Sequence, residues 1–155
     1  MERAVLLHNI RSAHNVGSIF RTADGAGVTK IYISGYTPLP VDRFGRTQKE
    51  IAKTALGAER TIPWEYRAEP AKLIRELRHA GMQIIGLEQD ERAEDYRAVK
   101  LKKDALLVLG NEVRGISKPL RDLCDVLIEI PMHGDKESLN VSVAAGIALY
   151  TLFSN

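Results

Sequence analysis

An α/β domain with a mostly parallel sheet flanked by helices is the fold class this 155-residue chain predicts. Three observations predict it. Short apolar, β-branched runs recur along the chain, stretches with helical periodicity lie between them, and polar residues and glycines crowd where the runs end. With 45% apolar residues at this length, one core of useful size forms, so the expectation is a single domain over residues 1–155.

The runs read in order as five buried strands: Ala4 to Leu7, Lys30 to Ser34, Gln83 to Leu87, Ala105 to Leu109 and Val126 to Ile130. The first helix is predicted to begin near Asn15, a good N-cap, with Val16, Ile19, Phe20, Ala23 and Gly27 along one face and Arg21 off it. Glu69 to Ala80 is amphipathic: Leu73, Ile74, Leu77 and Ala80 form one stripe, and Lys72, Arg75, Glu76 and Arg78 the other. The last helix, Asn140 to about Phe153, is apolar nearly all round. Its Ala144, Ala145, Gly146 and Ala148 permit close approach, so it is either deeply buried or half of a subunit interface. Two stretches break the pattern, Gly35 to Gly57 and the polar run Gln89 to Asp104. Both read as surface loops, which in compact domains are disproportionately functional.

Several chemistries are excluded early. A lone cysteine, Cys124, forbids an intrachain disulfide, a zinc finger or an iron–sulfur cluster, and the four histidines are too scattered to ligate a metal. The N-terminal apolar run, Ala4 to Leu7, is too short for a signal-peptide core and no run approaches the length of a membrane span, so a cytoplasmic protein is expected. The turn after the first strand, His8-Asn9-Ile10-Arg11-Ser12, lacks a dinucleotide-binding glycine cluster. Gly110 to Gly115 has phosphate-loop glycine spacing but continues into Ile116-Ser117 instead of Lys-Ser/Thr. Hydrolase elbows are missing too, and Cys124 beside an apolar strand reads as structural. Charge is uneven: residues 1–60 hold nine Lys/Arg against five Asp/Glu, and residues 104–155 four against seven. The basic front fits either a mixed solvated surface or attraction to a phosphate backbone.

Three segments crowd polar residues beside core runs: Asn9 to Gly27, Leu106 to Ser117 and Ile128 to Ala145. In open parallel sheets, ligands sit outside the carboxyl ends of the strands, where all three fall. Taken singly, each residue has a plainer reading. Asn15 and Asn140 serve as helix caps, Glu112 and Arg114 as solvated loop charges, Ser138 as a turn residue, and Arg21 as a surface ion-pair partner.

Taken jointly, the spacing is specific. Asn15-x-Gly17-x-x-x-Arg21, Leu109-Gly110-Asn111-Glu112-x-x-Gly115, and Ile130-Pro131-Met132 followed by Ser138-Leu139-Asn140 resemble the three motifs of the SpoU (TrmH) branch of the SPOUT superfamily, in order and across essentially the whole chain. The resemblance implies an S-adenosylmethionine-dependent methyltransferase acting on a ribose 2′-hydroxyl in tRNA or rRNA. It also implies a homodimer and a C-terminal deep trefoil knot, an exception to the rule that chains avoid knots; periodicity alone would have suggested an open doubly wound sheet. It further implies a methyl donor held around Leu109, Gly110, Ile130, Met132 and Leu139, which accounts for the missing phosphate loop, and catalytic work shared by Asn15, Arg21, Glu112, Ser138 and Asn140. Methyl transfer from a sulfonium is mainly a positioning problem. A guanidinium with a pKa above about 12 is a poor base, so Arg21 is expected to grip an RNA phosphate bidentately, with Glu112 aiming Arg21 or Asn15. Arg11, Arg43, Arg46, Lys49 and Lys53 are the expected RNA contacts, the last four from the long loop. Unlike many relatives, the chain shows no N-terminal RNA-binding domain in its sequence, so it reads as a minimal catalytic unit. Two other readings stay open: a related enzyme that methylates a base nitrogen, and a noncatalytic RNA-binding module of the same fold.

Overall fold

The computed structural model describes residues 1–101 and 103–153. Seven strands form one sheet: β1 (Arg3–His8), β2 (Lys30–Ser34), β3 (Trp64–Tyr66), β4 (Gln83–Leu87), β5 (Glu94–Asp95), β6 (Ala105–Leu109) and β7 (Val126–Glu129). Every pairing is parallel, and the order across the sheet is β3-β2-β1-β6-β4-β7-β5. The helices are α1 (Ala13–Gly25), α2 (Lys49–Ala55), α3 (Ala58–Thr61), α4 (Pro70–His79), α5 (Lys118–Arg121) and α6 (Val141–Phe153).

The central strands are apolar without alternation because both faces are covered. Val5 and Leu7 of β1 and Leu107 and Leu109 of β6 point into one core with Val16, Ile19 and Phe20 of α1 and Ala145, Ala148 and Leu149 of α6. Ala4, Leu6, Leu106 and Val108 point into the other, against Leu73 and Ile74 of α4. This is the burial expected of a parallel sheet between two helical layers. All five predicted strands are present. The two that periodicity misses, β3 and β5, are short edge strands of Trp-Glu-Tyr and Glu-Asp, whose polar residues suit an edge and carry no apolar signal.

Three local expectations are corrected. Helix α1 starts two residues before Asn15: Ser12 is its N-cap, its hydroxyl accepting from the Asn15 amide at 3.1 Å. Gly27 lies beyond the helix, at φ +82°, where it turns the chain toward β2. The stretch Gly35 to Gly57 is not all loop, since α2 occupies its second half. Leu56, left-handed at φ +50°, caps that helix.

Strand insertion separates this sheet from an open doubly wound one. Residues 88–93 join β4 directly to β5, yet β7 pairs with both and lies between them. Likewise β6 is inserted between β1 and β4. Late segments of the chain therefore sit inside pairings made from earlier ones.

Candidate methyl-donor and substrate site

Strands β4, β6 and β7 end side by side, and their carboxyl ends open into a cleft of about 330 Å³. Leu109, Gly110, Ile130, Met132 and Leu139, the five residues expected to hold the donor, all line it, as do Glu112 and Ser138. Leu87 and Ala144 extend the apolar floor, and Glu88, Glu129 and Glu137 supply carboxylates. An apolar floor with a carboxylate rim suits a flat heterocycle attached to a cationic group. Nothing about it suits a polyphosphate.

The wall formed by residues 110–116 is rigid by construction. Asn111 and Gly115 exchange two backbone hydrogen bonds, at 3.1 and 2.8 Å. The Asn111 side-chain oxygen accepts from the amides of Val113 and Arg114 at 2.9 and 2.8 Å, and its amide nitrogen donates to the Asn9 carbonyl and the Tyr36 hydroxyl. Gly110 has to be glycine: a Cβ there would stand 2.5 Å from the Gly115 carbonyl carbon. Glu88 fastens the far side of the loop by accepting from the Ile116 amide at 2.6 Å.

Glu112 ties this wall to α1. Its carboxylate accepts from the backbone amides of Arg11 and Ser12 at 2.9 and 3.0 Å and from the Asn15 side-chain amide at 3.2 Å. In a capping box the third residue of a helix supplies the carboxylate that binds the N-cap amide. Here that third residue is Asn15, and a carboxylate 100 residues further along the chain binds the Ser12 amide in its place. Burial would raise the Glu112 carboxyl, but the amides of Arg11 and Ser12, its own amide and the Asn15 side chain outweigh it and hold the group below its ordinary value.

Of the other expected catalytic residues, Asn140 caps α6, its oxygen accepting from the Ser142 amide at 2.8 Å and from the Ser142 hydroxyl, and Ser138 stands exposed on the cleft wall. Arg21 is not brought to the cleft. It is exposed on α1 and lines a separate depression with Ser18, Thr22, Gly25, Lys53, Thr54 and Tyr150. The Glu112 carboxylate thus aims Asn15 and leaves Arg21 alone. The expected RNA contacts divide. Arg43, Arg46 and Lys49 line a third depression, Lys53 shares the one with Arg21, and Arg11 is exposed beside Glu112. Lys49 and Lys53 belong to α2, not to a loop.

Sequence reasoning missed Glu88, Tyr36 and His8. His8 shares a 2.7 Å hydrogen bond with the buried Ser34 hydroxyl, and burial lowers its pKa. The signal for Glu88 was present, a carboxylate directly after an apolar strand. Cys124 is structural: its thiol donates to the Leu120 carbonyl, and burial pushes its pKa up to about 12. Among the described residues no group of three or more His, Cys, Asp or Glu is placed to hold a metal, and no helix is long and apolar enough to cross a membrane.

The model of the SpoU rRNA Methylase family matches residues 2–150. The chain is 36% identical over 146 residues to a 23S rRNA (guanosine-2′-O-)-methyltransferase RlmB of Ralstonia nicotianae, covering 94% of this chain and 56% of that protein. Among solved structures, the AdoMet-bound rRNA methyltransferase of Sinorhizobium meliloti superposes with a TM-score of 0.87 at 32% identity, covering 97% of this chain and 55% of that one. The TrmH/SpoU tRNA modifying enzyme of A. aeolicus superposes with a TM-score of 0.84 at 30% identity, covering 97% and 73%. The chain thus spans a little over half the length of its RlmB relative.

Proposed function

Because the chain belongs to the SpoU rRNA methylase family, we propose that it transfers a methyl group from S-adenosylmethionine to a ribose 2′-hydroxyl of tRNA or rRNA, in the cytoplasm and as a homodimer with the family's C-terminal knot. The observation that carries this reading is the contact between the cleft and α1: the same Glu112 carboxylate lines the cleft and holds Asn15. A relative of this fold is named as AdoMet-bound. The residues here fit that group, with Leu109, Ile130, Met132 and Leu139 for the adenine and the carboxylate rim for the cationic end. When bound, the donor supplies an electrophilic sulfonium methyl.

The chain's own residues supply position and charge. Glu112 fixes the side chain of Asn15, which orients the incoming ribose, and Asn140 fixes the start of α6 beside Ser138 and Leu139. Arg21 lines a depression separate from its own cleft, so in this reading it serves the cleft of a second copy. There it clamps an RNA phosphate and steadies charge growing on the attacking oxygen. The α1–α6 face supports the pairing: Val143 and Tyr150 are half exposed on a predominantly apolar helix.

Incubating the protein with RNA and labelled donor, then digesting to nucleosides, tests the reading. A ribose-methylated nucleoside whose phosphodiester resists alkali is expected. A methylated base, or no transfer, overturns it. Arg21→Lys keeps the charge and loses the bidentate fork, and a fall in kcat of about tenfold or more is expected, one charge-assisted hydrogen bond's worth.

A further inference from the structure

The segment leading into α2 carries a feature the cleft does not use. Residues 40–48 close into a compact turn: Val41 and Thr47 form an antiparallel bridge, the Asp42 amide donates to the Arg46 carbonyl at 2.9 Å, and the Gln48 amide donates to the Pro40 carbonyl at 2.9 Å. One Asp42 carboxylate oxygen accepts from the amides of Phe44 and Arg46 at 2.8 and 2.9 Å, and the other accepts from the Arg46 guanidinium at 2.9 Å. Gly45, at φ +76°, makes the reversal. The tip is held in one shape before anything binds.

Phe44 stands at that tip with 66% of its surface exposed. The guanidinium carbons of Arg43 and Arg46 lie 4.8 and 5.0 Å from its ring centroid. Among the described residues the ring belongs to neither apolar core, and leaving it in water forgoes the stabilisation that burial would bring. Asp42 neutralises Arg46, whereas Arg43 makes no ion pair among the described residues, and Lys49 lines the same depression.

We infer that Phe44, with the Arg43 and Arg46 guanidiniums beside its ring, is a stacking platform for an unpaired base of the RNA, with Arg43 and Lys49 taking the neighbouring phosphates. Bases stack on aromatic rings and on guanidinium planes alike, and a base inside a duplex is already stacked and out of reach. The charge argues for RNA over a second copy of the chain, because two such cationic tips repel each other and attract a phosphate backbone. The platform thus selects substrates with a looped or frayed nucleotide near the target ribose. It rests on the RNA-methylating reading above and adds to it a determinant of which RNA is taken.

The test compares the full chain with Phe44→Ala and Phe44→Trp for binding a short single-stranded RNA of mixed sequence and the same strand annealed as a duplex. Donor binding and sedimentation are measured in parallel. Phe44→Ala is expected to weaken single-strand binding about 5- to 100-fold, the range for loss of one stacked base. Duplex binding, donor binding and oligomeric state should be unchanged, and Phe44→Trp should bind as the wild type does. Single-strand affinity unchanged in Phe44→Ala overturns the platform and leaves the RNA reading standing. So does an equal loss on duplex, or a shift in sedimentation, which would make the tip a subunit contact. A wild-type chain that binds neither RNA overturns both.

Discussion

Glu112 shows how much one side chain does here. Three donors from the start of α1 converge on its carboxylate, and together they favour the charged form despite partial burial. Its folded pKa therefore lies below the ordinary 4.5. The stabilisation is complete above that value and is lost as pH falls through the folded pKa. Glu112→Gln keeps the shape and removes the charge. A loss of about 1 kcal/mol is expected in urea unfolding near neutral pH, modest because the group is partly solvated. The gap to wild type should narrow as pH falls below 4.5 and through the folded pKa. An equal gap at neutral and at acid pH would show that charge plays no part. The motif marked Glu112 as a candidate, and it lines the cleft, but its partners were not legible. Nothing local in Asn15 announces that Ser12 caps the helix while a remote carboxylate occupies the place a capping-box acid normally fills.

At the scale of elements, Gly17 explains why α1 and α2 lie so close. A Cβ on Gly17 would run into the Thr54 hydroxyl and the Ile51 carbonyl of α2, and Thr54 already donates to the His14 carbonyl of α1 at 3.0 Å. Gly17→Ala is expected to cost about 3 kcal/mol in unfolding, the upper range for forcing volume into a packed contact, although Gly17 does not itself line the cleft. Retained stability would mean the two helices separate freely. The sequence marked this glycine only as part of a motif beside Asn15 and Arg21, with no packing partner attached. Its partner is 34 or more residues away, on a helix that a proline- and glycine-rich stretch disguised as loop. Long, strongly periodic elements such as α4 and the central strands were readable because burial on both sheet faces leaves continuous apolar runs. Edge strands and one-turn helices left no such trace.

For the whole molecule, stability follows position in the sheet and not order in the chain. Strands β1, β6 and β4 are central and fully covered, whereas β3 and β5 are edges of three and two residues. Hydrogen exchange should therefore be slowest at Val5, Leu6, Leu107 and Val108 and fastest in β5. Equal protection in β5 and β6 would contradict the strand order. That order was the least legible property: periodicity located the strands but carried no information about which sits beside which, so an open sheet looked equally natural until motif spacing pointed elsewhere. The insertion of β6 and β7 among earlier strands has a consequence for biosynthesis. Chains leave the ribosome amino end first, and the cleft draws its walls from Leu87 through Ala144. A nascent chain thus has its basic half in hand long before the cleft exists, and the cleft is completed in a single late event.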